Sequence, residues 1–378
     1  MENKQKNYKQ CDMCKVNEAT SLCPQCFSYF CDACYEPVHG MKENKEHKKE
    51  KNKKTEFAFK NFCCQSVILL FCLFTIYKSC SIKLEKLEIE KNYKYFFCFS
   101  SIGKLENNYV NELVDYYRNI GVDKFILGDN NDKDSERLAD VLKKEIDEGL
   151  VDILDFTGRR KHQTDFFKDS YEMYKDKCRW ISFYDFDEFL ELKEGNKPTT
   201  VQKYFTEEKF GNCDVILINW VVFGDNDLLF YDNRLVTERF TNALFNSSEN
   251  VFVKSIIKGN IRYNPWDTDQ TSHRPNHHMK TCLYNGQRAK TFNDVLKPPR
   301  IVNIYLKHYV TKTVEEYILN KHKRGYTSRF IDKELWVDNF FLFNKVTKEK
   351  VEFIEKTLNM SFPKYHYIFN ETNDNRKN

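Results

Sequence analysis

From about Asn92 onward, apolar runs alternate with stretches whose apolar residues recur at helical spacing. Tyr95 to Phe99 is a continuous apolar run of strand length. Asn108 to Ile120 carries Val110, Leu113, Val114 and Tyr117, one face of a helix, and Gly121 stops it. Val122 to Leu127 predicts a second strand, ending in Gly128-Asp129-Asn130-Asn131. Ser135 to Glu148 predicts a second helix with Ser135 as its N-cap. Val151 to Leu154 is a third strand, Thr164 to Tyr174 a helix, and Trp180 to Tyr184 a fourth strand. Alternating strands and helices build a parallel sheet whose ligands sit at the carboxyl ends of the strands. Asp129 and the Asp185/Asp187 pair both fall at such ends, on one rim.

The fourth strand runs into three carboxylates within four residues, Asp185, Asp187 and Glu188. Carboxylates that close raise one another's pKa unless a cation sits among them. A hard divalent ion with oxygen ligands relieves the repulsion, and such ions share their sites with phosphates. The plainer reading is a solvated acidic turn. The apolar residues on both sides, Trp180 to Phe183 and Phe189-Leu190, place the acids at the edge of a core instead.

The 378 residues are enough for two domains or one large domain with an appendage. A net charge of only +4 argues against a nucleic-acid partner. The charge is uneven, with a solvated Lys/Glu run from Lys42 to Lys54.

Six of the 14 cysteines lie between Cys11 and Cys34 as three C-x-x-C pairs, and His39 and His47 follow. A C-x-x-C pair presents two thiolates to one tetrahedral zinc, and eight ligands make two closed sites. The alternative is a disulfide framework, which needs an oxidising compartment. The trailing histidines favour zinc. The order of pairs and histidines resembles the B-box zinc finger over residues 8–50. By that resemblance the ligands interleave: Cys11, Cys14, Cys31 and Cys34 hold one Zn²⁺, and Cys23, Cys26, His39 and His47 hold the other. A segment this short takes its folding energy from metal. The B-box is a protein-interaction module, so a protein partner is expected for it. Only ten residues precede Cys11, too few for the RING finger of a ubiquitin ligase.

Residues 62–78 predict a transmembrane helix. Phe62 to Tyr77 is apolar-leaning, shows no amphipathic period, and is bounded by Lys60 and Lys78. Its length is just under that of a usual span, and the alternative is a buried helix of a soluble domain. A basic linker (51–61) precedes it and a stem (79–92) follows. The modest excess of lysine before it places the N-terminus in the cytoplasm, which suits thiolate zinc sites. The expected location is a single-pass protein of the Golgi or endoplasmic reticulum. Sequons at Asn246, Asn359 and Asn370 all follow the segment.

The long C-terminal region resembles glycosyltransferase family 92 and its relatives in family 2. The resemblance rests on Leu105-Glu106, Glu112, Gly121-Val122-Asp123, Asp129-Asn130, Gln163 and the Asp185 to Phe189 segment. It continues through Trp220-x-x-Phe223-Gly224, Lys254-Ser255-Ile256, His308-Tyr309, Lys312-Thr313, Glu315-Glu316-Tyr317 and Lys321 to Gly325. Two departures are Leu105, where the group usually carries Asn, and Asp225-Asn226-Asp227, where small residues are usual.

The resemblance implies an α/β GT-A fold over residues 93–345: a Rossmann-like, mostly parallel sheet with flanking helices. A C-terminal helix and tail fill 346–378. It also implies a UDP-sugar donor (galactose in characterised members), transfer with inversion to a glycan acceptor, and Mn²⁺ or Mg²⁺. By that resemblance Asp187 coordinates the metal, Asp185 faces the ribose or a metal-bound water, and His308 is a late metal ligand, with His277 and His278 as rivals. Asp129 and Asn130 would bind the donor's base or ribose. Gln163, with Arg159 and Arg160, would steer the anionic donor. Inversion needs a carboxylate base, and Asp225, Asp227 and Glu188 are the candidates. Trp220 and Trp266 are candidates for stacking on sugar faces. The competing reading is a zinc-finger adaptor whose transferase-like domain is inactive or only binds.

Overall fold

The computed structural model describes residues 93–159, 163–261, 264–266, 273, 275, 278–289, 295–324 and 333–366, with backbone segments at 21–23, 28–30, 50–51 and 78. The chain divides into two compact units, 1–87 and 88–378. The first contains β1 (Ser21–Cys23), β2 (Ser28–Phe30) and β3 (Glu50–Lys51), antiparallel in the order β2-β1-β3. Cys23 closes β1. The other zinc-ligand candidates, Cys11, Cys14, Cys26, Cys31, Cys34, His39 and His47, lie outside the described residues, and so does the 62–77 segment. Among the described residues no helix is long and apolar enough to cross a membrane.

The second unit is built on one sheet. Its strands are β4 (Tyr95–Gly103), β5 (Lys124–Asp129), β6 (Val151–Asp155), β7 (Cys178–Phe183), β8 (Glu188–Glu194) and β9 (Lys197–Pro198). They continue with β10 (Val215–Val222), β11 (Val253–Lys258), β12 (Thr281–Leu283) and β13 (Ile304–His308). The order is β6-β5-β4-β7-β11-β10-β13-β8-β9, with β12 beside β10. The parallel expectation holds for β6-β5-β4-β7. Beyond β7 the sheet is mixed, because β11 returns antiparallel to β7 and β8 antiparallel to β13. These reversals bring the starts of β11 and β8 to the rim where β7 ends.

Side chains alternate across β4, as a pleated strand requires. Phe97 and Phe99 pack with Tyr109, Leu113 and Tyr117 of α1 (Asn107–Asn119). Cys98 packs on the opposite side with Phe166, Phe167 and Tyr171 of α2 (Gln163–Tyr174). All four positions read from the sequence as the apolar face of α1 are buried. The second predicted helix differs: it is two short helices, Leu138–Val141 and Lys143–Asp147, and Ser135 caps neither. Asp129 accounts for the later start, since its carboxylate accepts the Leu138 amide at 2.9 Å.

Two disulfides cross the sheet. Cys98–Cys178 joins β4 to β7, and Cys213–Cys282 joins the approach to β10 with β12. A separate apolar cluster unites α3 (Val314–Arg324), α4 (Lys333–Phe343) and α5 (Lys348–Leu358) through Val314, Tyr317, Trp336, Phe340 and Ile354.

Candidate active site

Burial alternates through the acidic motif: Tyr184, Phe186 and Glu188 are buried, while Asp185 and Asp187 are partly exposed. Phe186 anchors the turn. Its ring lies against Gly103 at the end of β4, where a Cβ would stand 2.8 Å from it, so no larger residue fits without displacing the ring. Anchored this way, the turn presents two carboxylates to the rim. The Tyr309 amide donates to the Asp187 carbonyl at 2.9 Å, which extends the β13–β8 register and aligns His308 with the motif.

Asp185 is held from two sides. Gln163, the first residue of α2, donates from Nε2 to Oδ1 at 2.5 Å, and Lys254 of β11 donates from Nζ to Oδ2 at 2.6 Å. The Lys254 side chain is 0% exposed, against 33% for Asp185. Glu188, also fully buried, accepts the Asp185 amide at 2.9 Å and has its other oxygen 3.7 Å from Lys254. Burial works against every charge here. It pushes the Glu188 carboxyl well above its ordinary range despite Lys254. Burial would likewise raise Asp185, but the Lys254 charge and hydrogen bond win and hold it low. Lys254 itself is raised, because Asp185 and Glu188 outweigh its burial.

Asp187 is less exposed than Asp185, but Lys254 and Gln163 do not bind it. Its side chain is 15% exposed, and His308 Nε2 stands 3.7 Å from its Oδ1. A carboxylate and an imidazole converging at the rim suit Mn²⁺ or Mg²⁺ as a partial ligand set, with phosphate and water supplying the rest. Among the described residues no group of three or more His, Cys, Asp or Glu forms a fuller set.

Other candidates fall differently. Asp129 lies on the same rim but is spent on the chain: it accepts the Asn131 and Leu138 amides and pairs with Arg137 at 3.0 Å. Its donor role would require giving up one of these partners. The Asn130 amide ties β5 to Gly103, and its side-chain oxygen is buried without a hydrogen bond. Arg159 stacks on Phe156 at 4.7 Å, and Arg160 and His277 lie outside the described residues. Asp225 and Asp227 are counter-ions of Lys350 on α5, at 2.7 and 2.8 Å. Asp225 is buried, and Asp227 has a 63% exposed side chain. Glu188 is too enclosed to reach an acceptor hydroxyl.

The tryptophans do not offer stacking faces. Trp266 is core, packed on Phe167 and Phe183. Trp220 is 9% exposed, with the His308 and His273 rings 4.2 and 5.1 Å from its own. His273, whose Nδ1 lies 3.0 Å from the Val253 carbonyl, also stands beside Trp220, and no motif in the sequence marks it. Lys254 was visible only as part of a motif, and its role required the return of β11 beside β7.

No curated protein matches the chain. The sequence model of glycosyltransferase family 92 matches residues 93–362, most of the chain and nearly all of the second unit. Its limit lies inside the α3–α5 cluster, so those helices are part of the matched region. The chain therefore belongs to glycosyltransferase family 92.

Proposed function

We propose that this protein transfers a hexose, galactose by family resemblance, from a UDP-sugar to a glycan hydroxyl, with inversion and with Mn²⁺ or Mg²⁺. The single observation that carries the reading is the convergence of Asp187 and His308 at the rim, beside an Asp185 fixed by Lys254 and Gln163. Asp187 and His308 would hold the ion, and the chemistry it would supply is Lewis-acid stabilisation of the diphosphate leaving group. Asp185 would face the ribose or a metal-bound water. Asn130 would contact the base with its unpaired amide oxygen, and the Arg159 region would attract the anionic donor. Inversion requires a carboxylate to take the acceptor's proton. Asp227 would be that base, as the most solvent-exposed of the three candidates.

The N-terminal unit is read as a B-box-type module with two Zn²⁺ and a protein partner, separated by a membrane anchor at 62–78. The two disulfides support this division. They belong to an oxidising compartment, whereas thiolate zinc sites belong to a reducing one. On this reading the transferase domain would lie in the lumen of the Golgi or endoplasmic reticulum and the N-terminus in the cytoplasm. The test is transfer from a panel of UDP-sugars by the full chain, with and without Mn²⁺. Uptake of a donor without turnover on any acceptor would favour an adaptor with a binding-only domain.

A further inference from the structure

The site carries a cation of its own. Lys254 is 0% exposed, touches Asp185 at 2.6 Å, and lies 3.7 Å from Glu188. It has been drawn from β11 into the centre of the acidic turn, and a lysine buried at that depth is rare unless paired. Gln163 occupies the other Asp185 oxygen. The acid that begins the motif is thus already neutralised and already hydrogen-bonded on both oxygens. Asp187 and His308 stand 3.7 Å apart at the rim.

We propose that Lys254 is a positioning residue that fixes the acidic turn in the free protein and makes divalent-ion binding depend on the donor's diphosphate. This rests on the functional reading above. Two consequences follow from charge alone. An incoming divalent ion meets the repulsion of a fixed ammonium, which at protein-like dielectric is worth about tenfold or more in affinity. A diphosphate supplies the negative charge and the oxygens that the protein withholds, so ion and nucleotide bind as a pair. Their affinities are then coupled, each strengthening the other by the same factor. The free site stays rigid without metal, because the ammonium does the holding.

The experiment is calorimetric titration of Mn²⁺ into the full chain, with and without saturating UDP. It is repeated for Lys254→Met, for Lys254→Gln, which keeps a hydrogen-bond donor without the charge, and for Lys254→Arg. The wild-type protein is expected to take up Mn²⁺ at least about tenfold more tightly with UDP present. Lys254→Met and Lys254→Gln are expected to bind Mn²⁺ alone about tenfold more tightly than wild type and to lose most of the UDP dependence. Lys254→Arg, which keeps the charge, should behave as wild type, and tighter Mn²⁺ binding by a folded Lys254→Gln chain is the outcome that a purely structural role for the lysine would not produce. The wild-type comparison needs no variant, so misfolding of a substituted chain leaves the proposal open to refutation. Mn²⁺ affinity indifferent to UDP in wild type overturns the inference and leaves the transferase reading standing. So does an unchanged or weaker affinity in a folded Lys254→Gln chain. No Mn²⁺ uptake by any chain, with or without UDP, overturns both.

Discussion

Two buried charge clusters in the second unit use the same chemistry to different ends. In one, Arg239 grips Glu316 with two nitrogens at 2.7 and 3.0 Å, Tyr109 donates to the same carboxylate at 2.7 Å, and the Thr313 amide donates as well. Both carboxylate oxygens are filled, and Thr313 and Glu316 together cap α3. In the other, Lys254 meets Asp185 and Glu188, one Glu188 oxygen lacks a hydrogen bond, and Asp187 opens to the rim. The saturated cluster locks a helix to its neighbours. The unsaturated one keeps capacity in reserve, as a binding site must. Saturation thus distinguishes these two clusters where burial and charge alone do not.

The comparison breaks most sharply at Asp187. Asp187→Asn is expected to lower turnover by about a thousandfold, about 4 kcal/mol of transition-state stabilisation, while thermal unfolding shifts little. Steady-state kinetics beside a melting curve would show it, and a large loss of stability with normal turnover would reverse the assignment. Next comes Arg239→Met, which leaves Glu316 buried without its partner. We expect about 3 to 4 kcal/mol of destabilisation by denaturant unfolding, with the donor KM of the folded protein unchanged. Asp227→Asn sits between the two cases, since Asp227 is exposed yet paired with Lys350. If it is the base, turnover drops about a hundredfold with KM unchanged. Ordinary turnover would leave it as a counter-ion only.

Acid sharpens the contrast further. Burial raises the Glu316 carboxyl, but hydrogen bonds from Arg239 and Tyr109 more than offset this and hold it below its usual value. A lowered folded pKa means stabilisation that is present above the unfolded value, about pH 4, and lost as pH falls through the folded one. Glu316→Gln should be less stable than wild type at neutral pH, with the gap narrowing below about pH 4. A constant gap in chemical unfolding across that range would contradict it. The smallest expected effect is at Leu105, which sits at φ +61°, a region hostile to a branched side chain. Leu105→Asn should stabilise by about 1 kcal/mol, because Asn tolerates that conformation. An unfolding midpoint no higher than wild type would count against strain there.

The first half of the sheet was legible because each of its elements carries its own pattern. Val110, Leu113, Val114 and Tyr117 mark α1 at helical spacing, and Trp180 to Phe183 mark a buried strand. The position of Asp185 and Asp187 followed from the same periodicity. The second half was not legible, since strand direction in β11 and β8 is decided by tertiary pairing and leaves no local trace. Lys254, His273 and Trp220 reach the site only through those reversals. Asp129 was read as open to a ligand because sequence shows a carboxylate at a strand end but not the amides of Asn131 and Leu138 that occupy it. The cross-sheet cysteines, 80 and 69 residues apart, carry no spacing signal either.

Those two bridges are arranged in tandem: the loop from Cys98 to Cys178 ends before the one from Cys213 to Cys282 begins. Neither threads or encloses the other. On a growing polypeptide the first can therefore close as soon as its second thiol emerges, before either member of the later pair is available to compete. Vectorial synthesis would then keep the two pairs from exchanging partners with each other.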